Sequence, residues 1–282
     1  MDASAAVARL WPGRHATIEP LSGGITNHNF KVVVDGDVYV LRMGGAQTGL
    51  LGIDRQVERD ASLRAFEVGV GPRVEQFIAS ESWLVTRFID GRPISVDDMR
   101  RPETIRRVAA SLRRFHGAAP IPGRFDAHAV VEEYRREAEE RGVAIPDAYA
   151  SAHDISERIR RRRGELPLVP CHNDLLNANF LDDGEIRIVD WEYAGMGDGF
   201  FDLANFSVNH EFGVVEDRTL LGAYFGEPTD ADAASLLQMK FMSDFREAMW
   251  GVLQSGISEL DFDFTGYAVK HFNRMAGMKI SL

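Results

Sequence analysis

The hydrophobic pattern of this 282-residue chain changes once, near Gly91-Arg92-Pro93, and that change limits the possible folds more than any other feature. Before the break, residues 16–41 carry β-branched side chains around Asp35-Gly36, a dipeptide typical of hairpin turns. After it, apolar residues recur with the period of an α-helix. A β-rich front and a helical back predict a two-lobed α+β fold, with the lobes at 1–90 and 91–282.

Local signals indicate where the individual elements begin and end. Asp54 suits a helix N-cap and predicts a helix that runs to Phe66, while Pro102 suits the first turn of the next helix. Short strands, a hairpin and further helices are predicted at 74–78, 83–88, 179–190, 102–116, 127–141, 147–163 and from Asp202 to the end.

Composition and charge exclude some classes of function. The formal net charge is −11, so bulk electrostatic binding to nucleic acid or to anionic lipid is not expected. The one cysteine, Cys171, cannot form an intramolecular disulfide, which fits a reducing compartment. The start of the chain lacks the pattern of a signal peptide, and no apolar run reaches the length of a membrane span. A cytoplasmic protein without membrane insertion is therefore expected, with its oligomeric state open.

Three polar residues stand at the spacing that phosphoryl transfer needs. Asp174 can accept a proton from a substrate hydroxyl, while Asn179 and Asp190 offer the oxygen ligands that Mg²⁺ prefers. The segment around Asp174 could instead be a polar turn before a hairpin. Because Asp190 follows an apolar strand, the combined pattern favours a phosphotransferase that uses ATP and Mg²⁺.

Residues in the N-terminal half suit a nucleotide site. A glycine pair between two strands, Gly23-Gly24, could cover phosphates with backbone amides, and Ser22, Thr26 and Asn27 could add polar contacts. The connecting segment 85–89, which includes Thr86 and Phe88, is predicted to meet the adenine through its backbone. Each of these features also has a plainer explanation as a tight turn or as core packing.

The chain resembles the choline/ethanolamine kinase branch of the aminoglycoside phosphotransferase superfamily, which shares the protein-kinase-like fold. The resemblance extends through most of the chain and includes a C-terminal block that favours this branch. The motifs that carry it are residues 22–27, 39–42, 53–55 with Glu58, 172–179, 189–195, 250–254, 261–264 and 267–268.

This resemblance implies a role for several residues. Asp174 would be the catalytic base, and Asn179 and Asp190 would be the magnesium ligands. His172 would hold its loop in place, and Asp202 would cap the helix that follows the loop and hold the loop backbone. Arg42 stands where many kinases have a lysine, and its guanidinium could clamp phosphate oxygens with Glu58 as its partner.

The acceptor pocket is implied by aromatic positions of the same family. Tyr193, Trp250 and Tyr267 match residues that line a choline pocket, where aromatic faces bind a quaternary ammonium. The chain departs from the family at Glu247, where an aromatic residue is frequent, and at Asn209, where an acid is frequent. A carboxylate in place of an aromatic wall favours a cation that donates hydrogen bonds, such as a primary amine.

The resemblance therefore implies a kinase for choline or a related amino alcohol such as ethanolamine. Two alternatives stay open at this stage. The acceptor could be another cationic small molecule, such as an aminoglycoside or thiamine, because several acids are expected near the pocket: Glu247, Glu259, Asp261 and Asp263. The chain could also be a kinase-like binding module without catalysis, although Asp174, Asn179 and Asp190 are all present.

Overall fold

The computed structural model describes residues 2–21, 27–45 and 48–280, except for the side chain of Thr48. The predicted α+β class is confirmed: a β-sheet occupies the N-terminal part and helices dominate the C-terminal part. The predicted glycine loop, Ser22 to Thr26, lies outside the described residues. Within the described part, no helix is both long and apolar enough to cross a membrane.

A five-stranded antiparallel sheet forms the N-terminal part. Its spatial order is β1-β2-β3-β5-β4, so the strand that carries Arg42 is central. The hairpin turn predicted at Asp35-Gly36 joins β2 to β3, and both residues have positive φ, as a tight turn of this kind requires. The strands are β1 (Ala16–Leu21), β2 (Asn27–Val34), β3 (Asp37–Gly44), β4 (Val74–Ile78) and β5 (Trp83–Arg87).

Two helices accompany this sheet, and only one was predicted. The predicted one is α2 (Arg55–Glu67), which Asp54 caps by accepting hydrogen bonds from the backbone N–H groups of Gln56 and Val57. The other is α1 (Ala3–Leu10), which packs Ala6 and Val7 into a core beneath the sheet. Sequence reasoning missed α1 because it is short and begins without a side-chain cap.

The C-terminal part is a helical body that also contains short strands. Pro102 lies in the first turn of α4, as predicted, and the hairpin predicted around Gly184 is formed by β8 and β9. The elements are β6 (Arg92–Pro93), α3 (Val96–Met99), α4 (Pro102–His116), α5 (Ala127–Glu140), α6 (Ala148–Arg163), β7 (Val169–Cys171), β8 (Phe180–Asp182), β9 (Ile186–Ile188), β10 (Gly195–Gly197), α7 (Gly199–Asn209), α8 (Val214–Phe225), α9 (Asp230–Ile257) and α10 (Phe264–Ala276).

Helix α9 organises the body. It is buried over most of residues 236–254 and packs against α5, α7 and α10. A helix that is buried on all faces can carry polar side chains only where they find partners. Asp244, Arg246 and Glu247 are such side chains, and each is buried.

Candidate active site

The backbone of the loop that carries Asp174 is fixed by the buried carboxylate of Asp202. Asp202 lies in the first turn of α7, whose N-cap is Asp198, so the expectation that Asp202 caps this helix is wrong. Its carboxylate instead accepts hydrogen bonds from the backbone N–H groups of His172 (2.8 Å) and Asn173 (2.7 Å). Its carboxylate also contacts Nε2 of His116 at 3.0 Å. Although burial alone would raise it, the pKa of Asp202 is lowered by these contacts, so the carboxylate is ionised and fixes the loop backbone.

His172 connects the loop of Asp174 with the strand end that leads to Asp190. The backbone N–H of Asp174 donates to Nδ1 of His172 at 3.2 Å, and Nε2 of His172 lies 3.0 Å from the carbonyl oxygen of Val189. Burial lowers the pKa of His172, so the ring is neutral and donates through Nε2. The two predicted acidic site residues are therefore held at a fixed separation by one side chain.

Asn179 and Asp190 form the part of the site that suits a metal ion. Nδ2 of Asn179 donates to the carbonyl oxygen of Asp174 at 2.8 Å, which commits its amide nitrogen and leaves its amide oxygen for a cation. Asp190 has a positive φ of 66°, and its Oδ1 is buried without a hydrogen-bond partner among the described residues. Burial and the nearby Glu192 raise the pKa of Asp190 well above its usual range.

A buried carboxylate in that state is costly unless a cation binds to it. The oxygen donors of Asn179 and Asp190 are the type that Mg²⁺ prefers, so these residues fit the predicted ion. Both residues line a cavity of about 400 Å³ between the sheet and the helical body. The cavity is also lined by Arg42, Glu58, Thr86 and Phe88, which the sequence assigned to the nucleotide.

Arg42 belongs to a buried network that is larger than the single pair expected from the sequence. Its Nη2 lies 2.5 Å from Oε2 of Glu58, the predicted partner. Arg55 lies 2.8 Å from the same Glu58 oxygen and 3.0 Å from Oε2 of Glu192. Both arginines donate to Oδ1 of Asn27, at 3.1 and 2.8 Å, which places this predicted residue inside the network.

The network joins the two parts of the fold, since Arg55 lies on α2 and Glu192 follows Asp190. Sequence reasoning quoted Arg55 within a motif but gave it no role, and it did not single out Glu192. A weak signal was present, because Arg55 precedes Glu58 by three residues on one helix and Glu192 follows Asp190 by two.

On the other side of Asp174, the structure brings together four residues assigned to the acceptor. The hydroxyl of Tyr267 donates to Oε2 of Glu247 at 2.6 Å, and the rings of Trp250 and Tyr267 are 5.6 Å apart. The ring of Tyr193 faces the guanidinium of Arg246, whose Cζ lies 4.5 Å from the ring centroid. Arg246 was not predicted, and it touches both Glu247 and Asp174.

Asn209 contacts the loop that carries Asp174. Its Nδ2 donates to the carbonyl oxygen of Leu175 at 3.3 Å and to Oδ1 of Asn205 at 3.1 Å. Asn205 in turn accepts from the backbone N–H of Leu175 at 2.6 Å. The observed contacts of Asn209 are those of a loop support, and its predicted contact with an acceptor stays a prediction.

The electrostatics of Asp174 suit proton transfer near neutral pH. Burial raises the pKa of Asp174 to about 7, the positive charge of Arg246 opposes that rise, and the negative charge of Glu247 adds to it. Nη1 of Arg246 lies 3.2 Å from Oδ1 of Asp174. A general base is most effective when its pKa lies near the working pH. The arrangement can therefore take a proton from a hydroxyl that is placed beside Asp174.

Comparison with known proteins agrees with this chemistry. Residues 17–237 match the phosphotransferase enzyme family. The mouse protein named ethanolamine kinase 1 is 26% identical over 325 residues, covering 95% of this chain and 85% of that one. The crystal structure of a choline/ethanolamine kinase family protein from Mesorhizobium loti is 33% identical, with a TM-score of 0.84, and covers 98% of this chain and 93% of that one.

A third comparison concerns the fold alone. The crystal structure of the choline kinase LicA from Streptococcus pneumoniae has a TM-score of 0.82 at 22% identity. It covers 97% of this chain and 95% of that one, so the whole arrangement of sheet and helices is shared.

Proposed function

Because the chain belongs to the phosphotransferase enzyme family and, within it, to the choline/ethanolamine kinase family, we propose that it is an ATP-dependent kinase for an amino alcohol such as ethanolamine or choline. In this proposal the γ-phosphoryl group of ATP moves to the hydroxyl of the acceptor, and ADP leaves. The relatives support a small-molecule kinase, and the choice of acceptor and of nucleotide is the proposed part.

One observation carries the proposal. The ring of His172 accepts a hydrogen bond from the backbone N–H of Asp174 and donates one to the carbonyl oxygen of Val189, the residue before Asp190. The backbone segments that carry Asp174 and Asp190 are therefore linked through one buried ring. Phosphoryl transfer depends mainly on such positioning, because the attacking oxygen, the phosphorus and the leaving oxygen must stand in line.

The residues of the chain then divide the reaction among them. Asp174 takes the proton from the acceptor hydroxyl while the oxygen of that hydroxyl bonds to the γ-phosphorus of ATP. The bond between the γ-phosphorus and the oxygen that joins it to the β-phosphate breaks at the same time. Asn179 and Asp190 would hold Mg²⁺, which offsets phosphate charge when bound. Arg42 would bind phosphate oxygens from the cavity wall, oriented by Glu58.

The remaining nucleotide contacts follow from the lining of the cavity. Thr86, Phe88 and Ile89 border it at the end of β5, where their backbone would meet the adenine. The glycine loop from Ser22 to Thr26 would cover the phosphates. In this arrangement residues 1–90 supply the nucleotide-binding lobe, and residues 91–282 supply the catalytic and acceptor-binding lobe.

The acceptor would bind on the side of Asp174 that faces α9. Tyr193, Trp250 and Tyr267 offer aromatic rings to a cationic group, and Glu247 offers a carboxylate. This combination favours an organic cation that carries a hydroxyl within reach of Asp174.

A substrate panel tests the proposal. The purified full-length protein is assayed for ADP release with Mg²⁺, ATP and each of ethanolamine, choline, thiamine and an aminoglycoside. We expect acceptor-dependent ADP release with the amino alcohols and none from an Asp174→Asn variant. Faster turnover of thiamine or of the aminoglycoside would contradict the amino alcohol assignment. A lack of ADP release with every acceptor would contradict the kinase assignment.

A further inference from the structure

Arg246 occupies an unusual position for a cation in an enzyme whose proposed substrate is itself cationic. It lies on α9 with only 2% of its surface exposed. One of its terminal nitrogens, Nη1, contacts Oδ1 of Asp174 at 3.2 Å and also donates to Oε1 of Glu247. The guanidinium stacks over the ring of Tyr193, with Cζ 4.5 Å from the ring centroid.

The groups around this guanidinium are those that would recognise a cationic acceptor. An aromatic face within about 6 Å attracts a positive charge, and a desolvated carboxylate does so more strongly. Tyr193 provides the face, and Glu247 and Asp174 provide the carboxylates. In the free protein, the guanidinium of Arg246 already contacts Tyr193, Glu247 and Asp174.

An unpaired hydroxyl lies beside this guanidinium. The hydroxyl of Tyr193 is buried without a hydrogen-bond partner among the described residues. Buried polar atoms in native proteins are nearly always paired, so an unpaired hydroxyl near Asp174 indicates a place where a ligand binds. The charges also leave room for a cation, because one arginine faces two carboxylates.

We propose that Arg246 occupies the cation subsite beside Asp174 in the free enzyme, and that Glu247 determines which class of cation replaces it. This inference rests on the proposed kinase function. A cationic acceptor reaches Asp174 by exchanging its charged group for the guanidinium, and the exchange favours primary ammonium groups over quaternary ones. The preferred acceptor is then an ethanolamine-like primary amino alcohol.

The preference follows from what Glu247 loses in the exchange. When the guanidinium leaves, Glu247 keeps the hydrogen bond from Tyr267 at 2.6 Å but loses a charge-assisted donor. A primary ammonium has three N–H groups and can replace that donor. A trimethylammonium group has none, so it leaves a buried carboxylate oxygen without a donor. The loss of one such hydrogen bond corresponds to a factor of about ten to a hundred in affinity.

Binding and turnover of matched variants test this claim. Arg246→Ala vacates the subsite, and Arg158→Ala is the control, because Arg158 is an exposed arginine on α6 and its loss changes the net charge equally. Isothermal titration with ADP and Mg²⁺ present gives the Kd of ethanolamine and of choline for each protein. Turnover of the same acceptors is measured separately, so a failure of the kinase function is recognised independently of the Kd values.

We expect wild type and Arg158→Ala to bind ethanolamine at least about tenfold more tightly than choline. In Arg246→Ala both acceptors should bind about tenfold more tightly or better, because neither has to displace the guanidinium, and the ratio of their Kd values should stay the same. The double variant Arg246→Ala with Glu247→Gln removes one charge of each sign and should lower that ratio, because it lacks the carboxylate that requires an N–H donor; it also serves as the test if Arg246→Ala does not fold. Weaker binding of both acceptors to Arg246→Ala, or an unchanged ratio of Kd values in the double variant, would overturn the proposal.

Discussion

Two buried arginine clusters lie on either side of the proposed reacting groups, and they differ in their balance of charge. On the nucleotide side, Arg42 and Arg55 face Glu58 and Glu192, two cations against two acids. On the acceptor side, Arg246 alone faces Glu247 and Asp174. The first cluster is balanced and serves to orient Arg42 at the wall of the cavity. The second keeps one negative charge in excess, which suits a cationic acceptor.

The difference indicates how the two halves of the reaction are specified. In the proposed reaction, Arg42 would bind the phosphates without losing Glu58 as its partner, because Arg55 also contacts Glu58. On the acceptor side, Arg246 would have to release its contacts before a substrate could reach Asp174. The nucleotide side would therefore bind phosphates in general, and the acceptor side would select among cationic substrates.

The largest expected effect comes from Asp174, where the two sides meet. Asp174→Asn keeps the size of the side chain but cannot accept a proton, so kcat should fall at least about a thousandfold. KM for ATP should change little, because the nucleotide side loses no binding group. Steady-state kinetics with thermal melting as a folding control measures this, and a loss of less than tenfold would show that Asp174 is not the base.

Asp190→Asn should separate activity from stability. Removing a metal ligand should lower kcat by about a hundredfold or more. Because burial raises the pKa of Asp190, the folded wild type holds a proton more tightly than the unfolded chain does. The contribution of Asp190 to wild-type stability therefore falls as pH rises above about 4, the usual pKa of an aspartate.

The asparagine variant lacks that cost, so its Tm at pH 8 without Mg²⁺ should exceed that of the wild type. The difference should disappear below about pH 4. A lower Tm of the variant at pH 8 would mean that the Asp190 carboxylate stabilises the folded protein. That result would contradict the expectation that its buried, unpaired Oδ1 destabilises the protein when no cation is bound.

Arg42 and Arg55 offer a matched pair within the balanced cluster. Both touch Glu58 and Asn27, but of the two only Arg42 lines the cavity. Arg42→Met should raise KM for ATP by about ten- to a hundredfold, the factor expected for one charged hydrogen bond, with KM for the acceptor unchanged. Arg55→Met should have a smaller effect on KM for ATP. Equal effects of the two changes would mean that Arg42 acts only through the network.

The smallest effect concerns the pH profile on the acceptor side. With the pKa of Asp174 at about 7, kcat/KM should fall as pH drops below 7, because the base must be ionised. Glu247 raises the pKa of Asp174, so Glu247→Gln should move the midpoint to lower pH by up to about one unit. The exposed Glu227→Gln is the control with the same charge change, and a midpoint that stays in place in both variants would remove Glu247 from this role.

Sequence patterns predicted the fold and the contact between Arg42 and Glu58, because both rest on local signals. The hairpin at Asp35-Gly36 and the cap at Asp54 depend on neighbours in the chain, and the structure has both. The pair of Arg42 and Glu58 was also predicted from a strand and the helix that follows it. Its contact is observed, while its role with ATP stays a prediction.

The acceptor side could not be predicted to the same depth, because its contacts are long-range. Arg246 and Asp174 are 72 residues apart, and neither local spacing nor a charge pattern marks Arg246 as different from other helical arginines. Glu247 was noticed because it departs from the family. Its partners, Tyr267 and Arg246, are determined by the packing of α9 against α10 and the catalytic loop.

The most direct test of the account is a ³¹P NMR time course of the full-length protein with ATP, Mg²⁺ and equimolar ethanolamine and choline. The account predicts that the γ-phosphate signal of ATP decreases while a phosphomonoester signal of the ethanolamine product grows ahead of the choline product. Asp174→Asn should leave ATP intact. Consumption of ATP into inorganic phosphate alone, or no consumption with either acceptor, would contradict the assignment of this protein as an amino alcohol kinase.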